Sequence, residues 1–186
     1  EEISLNPKAY KKQVINSDYE IVIMNELLEE VKDRNVEQKY EVSSVTNDDG
    51  LVNPDTKFSH QVASKDTSKY KLVKQNNFVY NPSRINVGSI TINRESKTVC
   101  VSPMYVVFKV KDEKTILSDF LYIFLTSKKF INSLSEYTSG SVRQTLKFKD
   151  LAKIKIPLPP IDKQQGIIEE VENYKKTIQK NISEIN

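Results

Sequence analysis

Gly140–Ile168 reads GSVRQTLKFKDLAKIKIPLPPIDKQQGII. A loop of Gly140, Ser141, Val142, Arg143 and Gln144 leads toward a short apolar segment, Lys153–Leu158, in which Ile154, Ile156 and Leu158 alternate with Lys or Pro. Alternation of this kind predicts an edge strand. Pro159-Pro160 ends it, because proline has no N–H to donate to a ladder. A periodic helix then starts at Ile161. With Ile161 as position a of a heptad, Ile168, Lys175 and Ile182 fall at a, and Gln164, Val171, Ile178 and Ile185 fall at d. Ile161, Ile168, Val171, Ile178, Ile182 and Ile185 make an apolar seam of the coiled-coil type. Ile161 to Ile185 would span roughly 36 Å at ~1.5 Å per residue. Such a stripe is covered either by a partner helix or by the chain's own domain. The straight 3.5-residue period favours a partner. The stretch thus joins a polar recognition loop to a helix shaped for assembly.

Upstream, Tyr40–Lys111 holds short apolar runs separated by Asn, Asp, Gly and Pro, which predicts a β-rich domain. Asn47-Asp48-Asp49-Gly50 is a turn signal, and Tyr80-Asn81-Pro82-Ser83 closes a strand. Ile21, Met24, Leu27, Leu28 and Val31 have helical spacing, with Asn25 as the candidate cap of a short helix. Ile116, Phe120, Ile123, Phe124, Phe130, Ile131 and Leu134 predict helix over Thr115–Thr138, capped at Ser118-Asp119 and divided near Ser127-Lys128-Lys129. The expected organisation is an arm or linker at 1–20, a recognition domain at 21–160 and a helix at 161–186. The expected fold class is mixed α/β (α+β): a β-rich domain with flanking helices and one long C-terminal helix.

The 186 residues carry a net charge of only +3, unevenly spread. Residues 1–57 hold 7 basic and 13 acidic side chains, whereas residues 58–111 hold 9 basic and 2 acidic. A basic middle attracts a phosphate backbone even in a nearly neutral chain. It is equally what a solvated lysine-rich surface looks like. The single Cys100, flanked by Val99 and Val101, excludes an internal disulfide framework, suits a reducing cytoplasm and reads as a buried thiol. No apolar run is long enough to cross a membrane. The chain starts at Glu1 rather than Met, which reads as a piece of a longer polypeptide.

Little in the sequence suggests catalysis. His60 is the only histidine, which leaves scant material for a multi-histidine metal site or a Ser-His-Asp triad. Four glycines provide no Gly-rich phosphate cradle. Asn81-Pro82-Ser83-Arg84 lacks the second proline and the aromatic of an adenine methyltransferase motif. One alternative remains: Pro54-Asp55 with Glu95-Ser96-Lys97 follows the PD…(D/E)xK layout of Mg²⁺-dependent nucleases, with Asp55, Glu95 and Lys97 as its residues. No resident cofactor or metal is expected otherwise.

The binding candidates are more numerous. Arg143 can grip guanine or phosphate through two donors, Gln144 can pair with an adenine edge, and Ser141 and Lys147 can add backbone contacts. The competing reading is a helix–strand connection with Arg143 in an internal salt bridge. Arg84, Arg94 and Lys97 flank the Asn86–Ser89 turn and form a second basic surface; Lys65, Lys69, Lys71 and Lys74 form a third.

Several pieces taken in order resemble the specificity (S) subunits of type I restriction–modification systems. They are Phe78-Val79-Tyr80-Asn81-Pro82-Ser83-Arg84-Ile85, Gly88-Ser89-Ile90, Val101–Phe108 (VSPMYVVF), Gly140–Leu146 and Ile156-Pro157-Leu158-Pro159-Pro160-Ile161. Gln164 and Gln165 stand where that family often has Glu-Gln. The resemblance covers about residues 21–186. It implies a non-catalytic, sequence-specific module for double-stranded DNA that directs a methyltransferase (modification) subunit and a restriction subunit. It also implies two recognition domains and two helices per full subunit, so the chain resembles a half-subunit, a truncated form or the recognition part of a fused enzyme. Pairing through the last helix, with a second copy or a second recognition domain, would then set half-site spacing, roughly 36 Å being near one turn of B-DNA. A module that binds only proteins, through its last helix, is the remaining alternative.

Overall fold

The computed structural model describes residues 18–46, 50–53, 64–134 and 145–185. Among them the elements run β1 (Glu20–Ile23), α1 (Met24–Leu27), β2 (Leu28–Glu30), β3 (Ser44–Thr46), β4 (Gly50–Val52), β5 (Lys71–Val73), β6 (Phe78–Tyr80), β7 (Ile90–Ile92), β8 (Val99–Val101), β9 (Val106–Val110), α2 (Ser118–Thr126), α3 (Lys128–Ser133), α4 (Phe148–Leu151), β10 (Lys155–Leu158) and α5 (Ile161–Ile185). This is the expected mixture: short strands in the middle, helices around them and one long helix at the end.

An antiparallel sheet in the order β2–β9–β6–β7 forms the centre. Side chains alternate across a strand, and β6 and β9 bury both sets. Phe78, Tyr80 and Phe108 face a core built with Phe120, Leu121, Leu125, Leu146, Leu151 and Ile156. Val79 and Val107 face a second core with Val45, Val73 and Val101, from the β3–β4 and β5–β8 pairs. Phe78 lies opposite Phe108 in the register, and their rings stack with centroids 4.8 Å apart. Each fully buried ring of this kind contributes about 1.5–3 kcal/mol relative to exposure.

Two expectations for the chain's first half are corrected. Glu20–Glu30 is strand, one helical turn and strand, not a longer helix. Val22 pairs with Ile156 and points inward, while Ile21 and Ile23 are exposed. Leu28–Glu30 pairs with β9. Helical spacing was mimicked because two strands on either side of a single turn place Met24, Leu27 and Leu28 in one core. Asn25 does not cap the turn; Met24 N and Asn25 N donate to the carbonyls of Ile154 and Ala152 at 2.9 and 2.8 Å.

Further along, Glu113 supplies the start of α2, its carboxylate accepting from Ser118 N at 2.9 Å. The break at Ser127 is where the sequence predicts it. Ser127 Oγ accepts from Phe130 N at 3.2 Å, capping α3, and donates to Phe124 O at 2.7 Å. Strand β10 ends at Leu158, before the two prolines, and pairs antiparallel with β1.

Candidate nucleic-acid interface

Strands β6 and β7 pair antiparallel, with Tyr80 opposite Ile90 and Phe78 opposite Ile92. Each has three residues, so the two ends of this hairpin are separated by about 10 Å of strand. The candidate basic residues divide between those ends.

At the first end, the chain turns through Asn81–Ser89. Asn81 Oδ1 accepts from Ser83 N at 3.0 Å, and Asn81 O accepts from Arg84 N at 3.0 Å. Ile85 drops into the core, which leaves Arg84, Asn86 and Val87 exposed. Gly88 closes the turn at φ +87, a left-handed conformation that a side chain disfavours. The carbonyl of Arg84 accepts from both Val87 N and Ser89 N, at 3.1 and 3.2 Å, which holds the backbone beneath the guanidinium.

The segment Thr145–Lys147 docks on this same end. Leu146 N donates to Pro82 O at 2.9 Å, and the Tyr80 hydroxyl donates to Leu146 O at 3.0 Å. Leu146 is fully buried, and so is Tyr80, whose hydroxyl burial drives well above the ordinary tyrosine range. Lys147 follows at the N-cap position of α4 with its side chain exposed. Phe148 then packs toward Phe108, ring centroids 6.1 Å apart. The fold thus brings together the segments that carry Arg84 and Lys147, although 63 positions separate the two residues. Ser141, Arg143 and Gln144 lie outside the described residues.

At the other end sits the Arg94–Lys97 turn. Buried Asn93 organises it: Nδ2 donates to Val73 O at 3.0 Å and Lys97 O at 2.9 Å, and Oδ1 accepts from Glu95 N at 3.1 Å. Arg94 forms an ion pair with Asp119 of α2, and its guanidinium lies 5.8 Å over the Tyr122 ring. Lys97 pairs with Glu41 at 2.8 Å. Both therefore engage neighbouring side chains. The third basic surface is smaller than the sequence suggests. Lys71 is buried, its ammonium donating to Tyr105 O at 2.6 Å and its pKa lowered by burial. Lys74 pairs with Asp33 at 2.7 Å.

Among the described residues no group of three His, Cys, Asp or Glu side chains could hold a metal ion. Asp55 and His60 lie outside the described residues, and the Lys97 ammonium is held by Glu41 rather than by Glu95. The nuclease layout gains no geometry from this arrangement. Cys100 is buried in β8, as expected, accepting from Asn35 Nδ2 at 3.4 Å; burial raises its pKa. No helix among the described residues is long and apolar enough to cross a membrane.

Helix α5 divides into two parts. Ile167 and Ile168 pack against the core, Val171 is half-buried and Gln164 is 0 % exposed. Beyond them Tyr174, Ile178 and Ile182 are 63, 56 and 53 % exposed. Ile161 is exposed at the helix start, and the side chain of Ile185 is outside the description. The stripe thus serves the chain's own domain along its first part and faces outward along its second. Gln164 was readable only as a polar interruption of the seam; its burial makes it an anchor instead.

The sequence model of the type I restriction–modification DNA specificity domain matches residues 10–186. Among solved structures, the chain is similar to one from work on complex assembly and conformational transition of the type I R-M system, with TM-score 0.67 and 14% identity over 89% of this chain and 44% of that one. It is also similar to the HsdS subunit from Thermoanaerobacter tengcongensis, with TM-score 0.65 and 13% identity over 87% of this chain and 43% of the other. The type I S subunit from M. genitalium gives TM-score 0.55 and 15% identity, over 92% and 43%. The chain thus spans less than half the length of each. A search of curated proteins found no match. With the family model aligned along almost the whole chain and its fold shared with these subunits, the chain belongs to the type I restriction–modification DNA specificity domain family.

Proposed function

We propose that the chain is a target-recognition module for double-stranded DNA. It reads a sequence through the face that carries Arg84 and Lys147, together with Ser141, Arg143 and Gln144 of the adjoining loop. The family match over residues 10–186 carries this reading. The geometry supports it by pinning the loop's return at Leu146 to the Pro82 turn. Phosphate contacts from Lys147 position the module, and the Arg and Gln side chains read base edges. Arg94 and Lys97 stand at the opposite end of the hairpin in ion pairs, so their contribution is to the field around the domain more than to direct contact.

The module is not itself an enzyme. It directs a methyltransferase subunit, and with it a restriction subunit, to the site. The outward stripe of Tyr174, Ile178 and Ile182 pairs with the helix of a second recognition domain or a second copy of the chain. Co-purification with the neighbouring methyltransferase, followed by mapping of the methylated bases, tests the whole reading. A single recurrent motif is expected, lost in Arg143→Ala. Methylation without sequence preference, or a motif indifferent to this chain, would sink the proposal. DNA cleavage by the purified chain in Mg²⁺, abolished by Glu95→Ala, would replace it with the nuclease alternative.

A further inference from the structure

Gln164 sits at a d position of the α5 stripe, yet its amide spends every bond on the chain's own backbone. Oε1 accepts from Leu117 N at 2.8 Å. Nε2 donates to Thr115 O at 3.1 Å and to Pro159 O at 2.8 Å. The helix entry is thereby tied to the segment that leads into α2 and to the proline stop that precedes α5. No other side chain of the helix is fully buried among the described residues.

A second contact lies one turn further on, where Ile167 and Ile168 pack against the core. A cleft of about 340 Å³ is lined by Arg94, Asp119 and Tyr122 of the domain and by Ile168, Glu172 and Lys175 of α5. Arg94 is held there by Asp119 and lies over the Tyr122 ring. Lys175, by a 2.9 Å hydrogen bond and its charge, holds the Glu172 carboxyl below the usual glutamate range, with smaller contributions from Lys176 and then Arg94. Gln164 and Ile168 are four residues apart, about 6 Å along the axis. Two attachment points at that separation define the direction of a rod, where one would leave a hinge.

We propose that Gln164 is a positioning residue. Its amide, with the packing of Ile167 and Ile168 on the core as the second point, fixes the angle at which α5 leaves the recognition domain. From Gln164 to Glu184 the helix runs about 30 Å, so a tilt of about 15° at the joint moves its far end by about 8 Å. That exceeds two base-pair steps at ~3.4 Å each. The joint is therefore a determinant of half-site spacing as well as helix length. This consequence rests on the DNA-recognition reading; the fixed angle does not.

The angle is measurable in the intact chain. Spin labels at Lys109→Cys in β9 and Lys180→Cys in α5, diluted with unlabelled chain, report the domain-to-helix distance by pulsed electron double resonance. Cys100 is buried and stays unlabelled. The parent chain is expected to give one narrow distance peak. Gln164→Met, similar in size but unable to donate to either carbonyl, is expected to spread that peak over about 6 Å, the displacement that a tilt of about 15° gives at Lys180, about 24 Å along the axis from Gln164. Gln165→Met, on the exposed neighbour, is expected to leave it narrow. Ile168→Ala is the second variant, expected to broaden the peak less and serving as the decisive one if Gln164→Met does not fold. Widths equal to the parent's in the folded variants overturn the proposal. Affinity for the mapped half-site is measured alongside and is expected to be unchanged in Gln164→Met. A parent chain with no sequence preference defeats the DNA reading, while the peak widths still decide the joint.

Discussion

Replacing Tyr80 by Phe tests how the interface is held without touching its exposed surface. The Tyr80 ring is fully buried and meets Phe108 edge-on, centroids 6.1 Å apart, so a Phe ring fits the same space. What disappears is one hydroxyl, the donor to Leu146 O at 3.0 Å. That carbonyl belongs to a fully buried residue. Losing a hydrogen bond and leaving its acceptor unpaired costs about 1–3 kcal/mol. For a chain of this size each 1 kcal/mol lowers the unfolding midpoint by about 2–4 °C, so a drop of roughly 2–12 °C is expected. Leu146 N still holds Pro82 O, so the segment loosens but stays attached. Affinity for the mapped site should fall while Arg84 and Lys147 remain present. Scanning calorimetry gives the first quantity and fluorescence anisotropy with a labelled duplex the second. Burial raises the Tyr80 pKa above its unfolded value, so the folded state holds this proton more tightly. The associated stability is present below about pH 10 and is lost as pH rises further, a loss absent in Tyr80→Phe. Unchanged midpoint and affinity in Tyr80→Phe would refute the pinning argument.

Three other outcomes are expected. Arg143→Ala weakens specific binding by ~1–3 kcal/mol if it reads a base, and Arg84→Ala does the same at the adjoining turn; competition titrations against mismatched duplexes separate base reading from phosphate contact, and unchanged affinity and preference remove the residue from the site. Ile178→Asp with Ile182→Asp leaves the unfolding midpoint of the domain in place, since both side chains are exposed, but abolishes self-association or co-purification, read by sedimentation velocity. Phe78→Ala removes a fully buried ring stacked on Phe108 and costs about 3–5 kcal/mol, measured by urea denaturation; a loss under 1 kcal/mol would mean that the central sheet is not the main core.

The parts legible in the sequence were those decided by near neighbours. The serine break at Ser127 is a local capping event, and β10 ends where Pro159 removes a donor. Cys100 between two valines is buried as such a pattern suggests. Parts decided by distant partners were not legible. Val22 turns inward only because Ile156, 134 positions later, pairs with it. Lys71 looks like a surface lysine until Tyr105 O comes within 2.6 Å of its ammonium. The candidate face behaves alike. Arg84 and Lys147 are each an ordinary exposed cation in sequence, and the bonds of Leu146 to Tyr80 and Pro82 bring their segments together. The signal present in the sequence was Gln164, an amide that with Lys175 interrupts a mainly apolar stripe.

The helix itself shows why a seam cannot be assigned to one partner from its period. Residues Gln164–Val171 are spent on the chain's own domain, so a partner meets mainly Tyr174, Ile178 and Ile182 among the described side chains. Fully burying each contributes about 1.5–3 kcal/mol, hence roughly 9–18 kcal/mol when two such segments pair. Association itself costs on the order of 4–15 kcal/mol before any side chain is ordered. The two ranges overlap between about 9 and 15 kcal/mol. Pairing through this segment alone is therefore expected to depend on concentration and to tighten only where another component bridges the two modules. On the proposed reading, DNA carrying both half-sites and a methyltransferase subunit would be bridges of that kind. The division of one apolar stripe between a part packed on the domain and an outward-facing end then favours a helix whose direction is set by its own domain and whose pairing is completed by the assembly.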